Sequence, residues 1–201
     1  MARLSIFVAE THTIMDRKER LLKAVLKYTH KQGLHNLAMG RLSKETKVAT
    51  GTWYHHFQNR EDLLEQVYLY CRHNLAQSFR MNPDTEKSVK NQLQTAIQTA
   101  WEHVCKNPEE LRFIVEMEAG SHTSSAAMRE SILYFEGLHR LCEKGTHEGI
   151  LRTMPAHEMV LYIQHMIYSA LRTAMNKSAK PAAESGPVLS EMIWQALKAR
   201  R

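Results

Sequence analysis

Twelve histidines in a 201-residue chain are the first feature that could do chemistry. A zinc hydrolase would place two of them four residues apart on one helix, with a Glu between them, in the pattern H-E-x-x-H. His147-Glu148 and His157-Glu158 open that pattern, but neither is followed by a second His at the fifth position. Ser121-His122 are adjacent, but the sequence offers no acid partner to complete a nucleophile relay. Cys71, Cys105 and Cys142 lie far apart and form no C-x-x-C pair. Each falls among apolar residues at helical spacing, the setting of a small buried hydrophobe in a reducing cytosol. No glycine-rich phosphate loop and no G-x-S-x-G elbow is present. The expectation is a cytoplasmic protein that is not an enzyme and carries neither cofactor nor metal, its histidines serving as surface or satisfied core residues.

A different chemistry is concentrated between residues 44 and 60. Lys44 and Lys47 flank a short polar turn, and Thr50, Gly51, Thr52, Tyr54 and His55 follow within nine residues of it. Hydroxyls and imidazoles in such a row donate to phosphate oxygens or meet base edges, and a Thr methyl can touch the methyl of thymine. Arg60 adds a guanidinium at the start of the next helix, a suitable phosphate clamp. The charge distribution agrees. Residues 1–60 hold eleven Lys/Arg against four acids, an excess of +7 in a chain whose net charge is +6. The rest holds sixteen basic and seventeen acidic side chains. A cation excess confined to one end suits a polyanion, either nucleic acid or an anionic membrane surface.

Helices must position these groups. With only 8 Gly and 5 Pro, the chain has few turn signals, and no alternating β-branched run suggests a strand. Residues 16–32 read as an amphipathic helix with Leu21, Leu22, Val25, Leu26 and Thr29 inward, stopped by Gly33. Short helices over 38–46 and 49–57 follow, turning Met39, Leu42, Trp53 and Phe57 inward. Their size is that of a helix-turn-helix, whose second helix enters the major groove of DNA. Asn59 caps a longer helix that Met81-Asn82-Pro83-Asp84 breaks. Further helices are expected over 85–106, 108–119, 126–148, 156–178 and 188–199, with a linker at 179–187. That gives an all-α fold of about nine helices: an N-terminal arm and helix-turn-helix domain over 1–61, then a helical bundle over 62–201.

The stretch VATGTWYHHFQNREDLLEQVY, residues 48–68, resembles the signature of the TetR (tetracycline repressor) family. The matching positions are Gly51-Thr52, Trp53, Tyr54, His56, Phe57, Arg60, Glu61 and Leu63-Leu64, and the likeness extends over residues 16–68. Three positions depart from the family pattern: Lys47 stands where a Gly is usual, Thr46 where Ala is frequent, and Ala49 where a Ser often caps the reading helix. Lys at a positive φ costs about 1 kcal/mol or more, and a missing Ser cap costs about as much. Thr50 or Thr46 is the available substitute cap.

The resemblance implies a homodimer whose two reading helices meet a palindromic operator, with residues 62–201 serving dimerisation and ligand sensing. Helices 156–178 and 188–199 would pair with their copies. Ser169, Ala170 and Ala174 would allow close approach, and Met159, Tyr162, Ile163, Met166, Ile167, Ile193, Trp194 and Leu197 would supply core and interface together. Trp101, Phe113, Met117, Met128, Phe135 and Tyr168 are the expected walls of a pocket for a small apolar or amphipathic effector, whose binding would release a repressor from DNA. The alternative is a helical polyanion-binding protein without ligand response. A membrane partner is not expected, because the apolar stripe of the first helix is needed to cover the next two.

Overall fold

A computed structural model describes residues 2–79, 88–176 and 183–199. The predicted break at 81–84, the first residues of the predicted helix 85–106 and part of the linker 179–187 lie outside the described residues. Ten α-helices are present among them: α1 (Ala2–Gln32), α2 (Met39–Thr46), α3 (Thr50–His56), α4 (Arg60–Ser78), α5 (Val89–Lys106), α6 (Pro108–Ala119), α7 (Ser125–Leu133), α8 (Glu136–His147), α9 (Ala156–Asn176) and α10 (Gly186–Leu197). The fold class is all-α, as expected, with two differences in helix extent. Helix α1 begins at Ala2 rather than residue 16, since no Gly or Pro interrupts residues 1–15. The segment 126–148 is two helices, not one, with a turn at Tyr134-Phe135.

The chain packs into two compact units. One contains the residues up to Cys71 together with Arg112–Ala127, and the other contains Arg72–Leu111 and the residues from Met128 onward. In the first unit the apolar stripe of α1 is buried at Leu21, Leu22, Val25, Leu26 and Tyr28. Thr29 satisfies its hydroxyl by donating to the Val25 carbonyl at 3.0 Å, so this polar group is buried without an unmet bond. Gly33 ends the helix at φ 81°, a left-handed conformation that costs a glycine little. Leu42 of α2, Trp53 of α3, Phe57 just past α3, and Leu63 and Val67 of α4 are all buried to 1% exposure or less. Burying a side chain such as Leu42 contributes about 2 kcal/mol through the area removed from water.

In the second unit, α10 packs chiefly on α5, and α8 on α9. Arg72 is buried, with Nη1 donating to Gln164 Oε1 at 2.7 Å and its guanidinium 4.6 Å from the centre of the Phe135 ring. Glu110 is buried too. It accepts from Asn74 Nδ2 at 3.0 Å and meets His103 Nε2 at 2.9 Å. A Cβ on Gly145 would lie 2.6 Å from Leu151 Cδ1, so the α8 backbone approaches the Leu151 side chain as only glycine permits. The chain leaving α10 is clasped to the loop after α8: Arg152 N–H donates to the Leu197 carbonyl and Ala199 N–H to the Ile150 carbonyl, each at 2.9 Å.

Candidate nucleic-acid interface

The candidate interface is α2, the turn after it, and α3. Each helix is held by one inward anchor set: Leu42 is fully buried on α2, while Trp53 and Phe57 stack with ring centres 6.2 Å apart. Indole Nε1 of Trp53 has no hydrogen-bond partner among the described residues, so the ring is there for its apolar bulk. With Trp53 inward, the helical period turns Thr50, Gly51, Tyr54 and His55 out, and all four are exposed, Tyr54 by 55%. Thr52 is half-buried. Lys44 and Lys47 are exposed beside them.

The turn departs from a relaxed geometry where the sequence said it would. Lys47 sits at φ 57°, ψ 25°, in the left-handed region. Ala49 takes the N-cap position of α3 and offers no side-chain bond. Neither expected substitute cap serves. Thr46 Oγ1 donates back to the Leu42 carbonyl at 2.7 Å, and Thr50 Oγ1 donates to Ser43 Oγ at 3.1 Å, tying α3 to α2. The reason is reach: the Thr46 hydroxyl finds the carbonyl one turn back on its own helix, as Ser and Thr within helices do.

The start of α4 is well capped. Asn59 Oδ1 accepts from Asp62 N–H at 2.8 Å, satisfying one orphan donor of the helix, and Asp62 Oδ2 accepts from Gln58 N–H at 2.7 Å, tying down the chain that enters it. Arg60 is half-buried. Its Nε donates to the Leu37 carbonyl at 2.8 Å and its Nη2 to the Leu34 carbonyl at 3.3 Å, while Nη1 lies 3.6 Å from Glu61 Oε1. Its guanidinium therefore holds the short 3₁₀ turn Leu34–Asn36 and the chain leading into α2. The sequence marked Arg60 as a phosphate clamp; in the structure its guanidinium also serves the fold through these two carbonyls.

His55 and His56 pack edge to face, 5.1 Å apart. Burial pushes the His56 imidazole below its usual range, and His55, Arg17 and Lys18 add to that by their positive charge. The cations Arg17 and Lys18 thus belong to the same electrostatic neighbourhood as α3.

The six expected pocket residues divide between the units. Phe113 and Met117 are buried in the first. Trp101 and Phe135 are buried in the second, Tyr168 is half-buried there, and Met128 stands 43% exposed. Phe135 lines a cleft of about 340 Å³ together with Phe79, Tyr134 and Leu138. Sequence reasoning missed a second cleft of about 370 Å³, lined by Asn74, Gln77, Ser78, Thr99, Glu102, His103 and Lys106. Its signal was two polar rows at helical spacing, on α4 and on α5. Among the described residues no group of three or more His, Cys, Asp or Glu is placed to hold a metal ion. No described helix is long and apolar enough to cross a membrane.

The family comparison falls on the same segment. Residues 21–67 match the model of bacterial regulatory proteins of the tetR family. An uncharacterized HTH-type transcriptional regulator of Haemophilus influenzae is 28% identical over 104 residues, covering 52% of this chain and 56% of that protein. The chain thus spans about half the length of the curated relative it matches. Among solved structures, a TetR family transcription regulator from Marinobacter aquaeolei aligns with a TM-score of 0.83 at 15% identity, over 94% of this chain and 100% of that one. A TetR-family transcriptional regulator from Haemophilus influenzae aligns with a TM-score of 0.70 at 21% identity, over 92% and 98%. At such identities the likeness is one of fold.

Proposed function

We propose that the chain, whose residues 21–67 match the model of the tetR family of bacterial regulatory proteins, is a dimeric transcription regulator of that family that binds a palindromic operator and is released from it by a small apolar or amphipathic effector. The observation that carries the DNA reading is the surface of α3. A seven-residue helix with its bulky side chain fully buried turns Thr50, Gly51, Tyr54 and His55 to solvent beside Lys44 and Lys47, at the basic end of the chain. Thr, Tyr and His are donors suited to phosphates and base edges, and Lys supplies the salt-dependent attraction. Residues 1–61 are then the DNA-binding part, and residues 62–201 the part that dimerises and responds.

The dimer reading is supported by α9 and α10. Met159, Ile163, Ile167, Ile193, Trp194 and Leu197 are core, whereas Leu161, Tyr162, Val188 and Met192 are 45–63% exposed. Large apolar side chains left in water on two helices suit a second copy of the chain. Two copies would present two α3 helices about one helical turn of DNA apart, roughly 34–36 Å. The effector reading rests on the two clefts of the second unit, of which the one lined by Phe79, Tyr134, Phe135 and Leu138 offers the apolar wall.

The test is fluorescence anisotropy of the full chain on duplexes enriched from a random pool, over a salt series and with competitor DNA. Saturation at two protomers per palindrome, with log K falling linearly in log salt, is the expected result. Tyr54→Phe should weaken selective binding while leaving the unfolding midpoint unchanged. Binding that is salt-sensitive but indifferent to sequence would make the protein a general polyanion binder, and failure to enrich any duplex would remove the DNA reading altogether.

A further inference from the structure

Two residues in the span from the end of α2 through α3 are poor choices for the fold that contains them. Gly51 is the second residue of the seven-residue helix α3, where glycine brings only its greater loss of backbone freedom on folding. Its helical backbone does not require glycine, and a Cβ built there meets nothing of the chain within 4 Å. Gly145 shows the contrast, for there the chain itself fills the space that a Cβ would take. Lys47 presents the opposite misfit: a side chain placed at φ 57°, where glycine would be relaxed. Both positions are exposed, both are on the basic part of the chain, and Gly51 shares its exposed face with Thr50, Tyr54 and His55. Where local choices contradict the local structure, a functional demand is the usual reason.

We infer that Gly51 is the point at which α3 comes closest to DNA, its missing side chain letting the helix backbone approach the groove wall, and that Lys47 is kept in its unfavourable conformation because its ammonium neutralises a phosphate at the same contact. This inference rests on the DNA reading above. It adds what that reading leaves open: glycine at 51 sets how deeply α3 seats, and so which base edges Thr50, Tyr54 and His55 reach. The partner is duplex DNA rather than a membrane surface, because the exposed face of α3 carries hydroxyl and imidazole groups and no large aliphatic side chain to insert among lipids.

The two residues predict an inverse relation between stability and binding. Gly51→Ala adds a better helix former in open space and should raise the unfolding midpoint by about 2 °C, and Lys47→Gly relieves the left-handed turn and should do the same. Both should bind worse. On the duplex enriched by the wild-type chain, Gly51→Ala should raise Kd about 5-fold and Gly51→Leu about 100-fold, because each added group holds the helix off the groove. Lys47→Gly should weaken selected and random duplexes alike and lower the salt slope by about one. Circular dichroism melts and anisotropy on the same preparations provide both readouts. If Gly51→Leu keeps the wild-type melting point and the wild-type Kd, the inference is overturned while the DNA reading stands. An unchanged salt slope for Lys47→Gly overturns its second half. If the wild-type chain enriches no duplex, the DNA reading falls and takes the inference with it.

Discussion

The outward faces of α3 and of the α9–α10 pair are opposites. On α3 the bulky Trp53 is buried, as is Phe57 just past it, and the exposed side chains are Thr50, Tyr54 and His55. On α9 and α10 the core is equally well filled, yet Leu161, Tyr162, Val188 and Met192 remain in water. Both faces are left over once the core is complete, and their chemistry shows what each is left for. A row of hydroxyl and imidazole groups beside lysines keeps its hydration until a phosphate or base edge replaces it. An apolar face gains by leaving water at all. On the proposed reading the two surfaces of one chain serve different partners, a polyanion and a protein.

That contrast can be broken at several points. The largest effect should come from Trp53→Ala. Trp53 is the largest fully buried side chain of the first unit, and removing it should cost about 3–5 kcal/mol of stability, read by urea denaturation, with loss of all sequence-selective binding. A variant that stayed folded and still bound selectively would show that α3 does not depend on its anchor. Next is the double substitution Tyr162→Asp with Met192→Asp. Charges on the exposed face of α9 and α10 should raise the dimer dissociation constant at least ~100-fold by sedimentation, while the monomer keeps its far-ultraviolet dichroism. Arg60→Ala should cost about 1.5 kcal/mol, since the Leu34 and Leu37 carbonyls lose a cationic donor that is itself partly exposed. Arg60→Lys should recover only part of this, because an ammonium cannot reproduce the fork.

The smallest effect concerns pH. Burial, ahead of the neighbouring cations, lowers the His56 imidazole, and burial does the same for His139 in the second unit. A His whose folded pKa lies below its unfolded one binds more protons when unfolded, so stability is retained above the unfolded value of about 6.5 and declines as pH falls through that value toward the lower folded one. Melting points measured from pH 7.5 down to pH 5 should fall, and His56→Gln should flatten the decline. A melting point that rose on acidification would refute the assignment.

What was legible in the sequence follows from which signals were local. The buried positions of α1, the inward turn of Trp53 and Phe57 and the Asn59 cap could all be read from spacing and residue type. The extension of α1 to Ala2 was not, because residues 1–15 lack both a strong apolar period and a stop signal, and so mark no boundary. The division at Tyr134-Phe135 was hidden for the reverse reason: Met128, Ile132, Phe135 and Leu138 keep a helical period straight through the turn. The Arg60 bonds could not be read because its acceptors lie 23 and 26 residues earlier in the chain. The strained Lys47, by contrast, was visible as a residue out of place before its φ was known.

The clasp between the loop after α8 and the end of α10 gives the second unit a kinetic property as well as a shape. Its two bonds run in opposite directions across one bridge, Leu151 facing Lys198, so neither segment can leave without breaking both. The amide hydrogens of Arg152 and Ala199, nearly fifty residues apart, should therefore show one common protection factor against exchange with deuterated water, once each is corrected for its intrinsic rate. A difference in protection factor between them would mean that the end of α10 unzips one residue at a time.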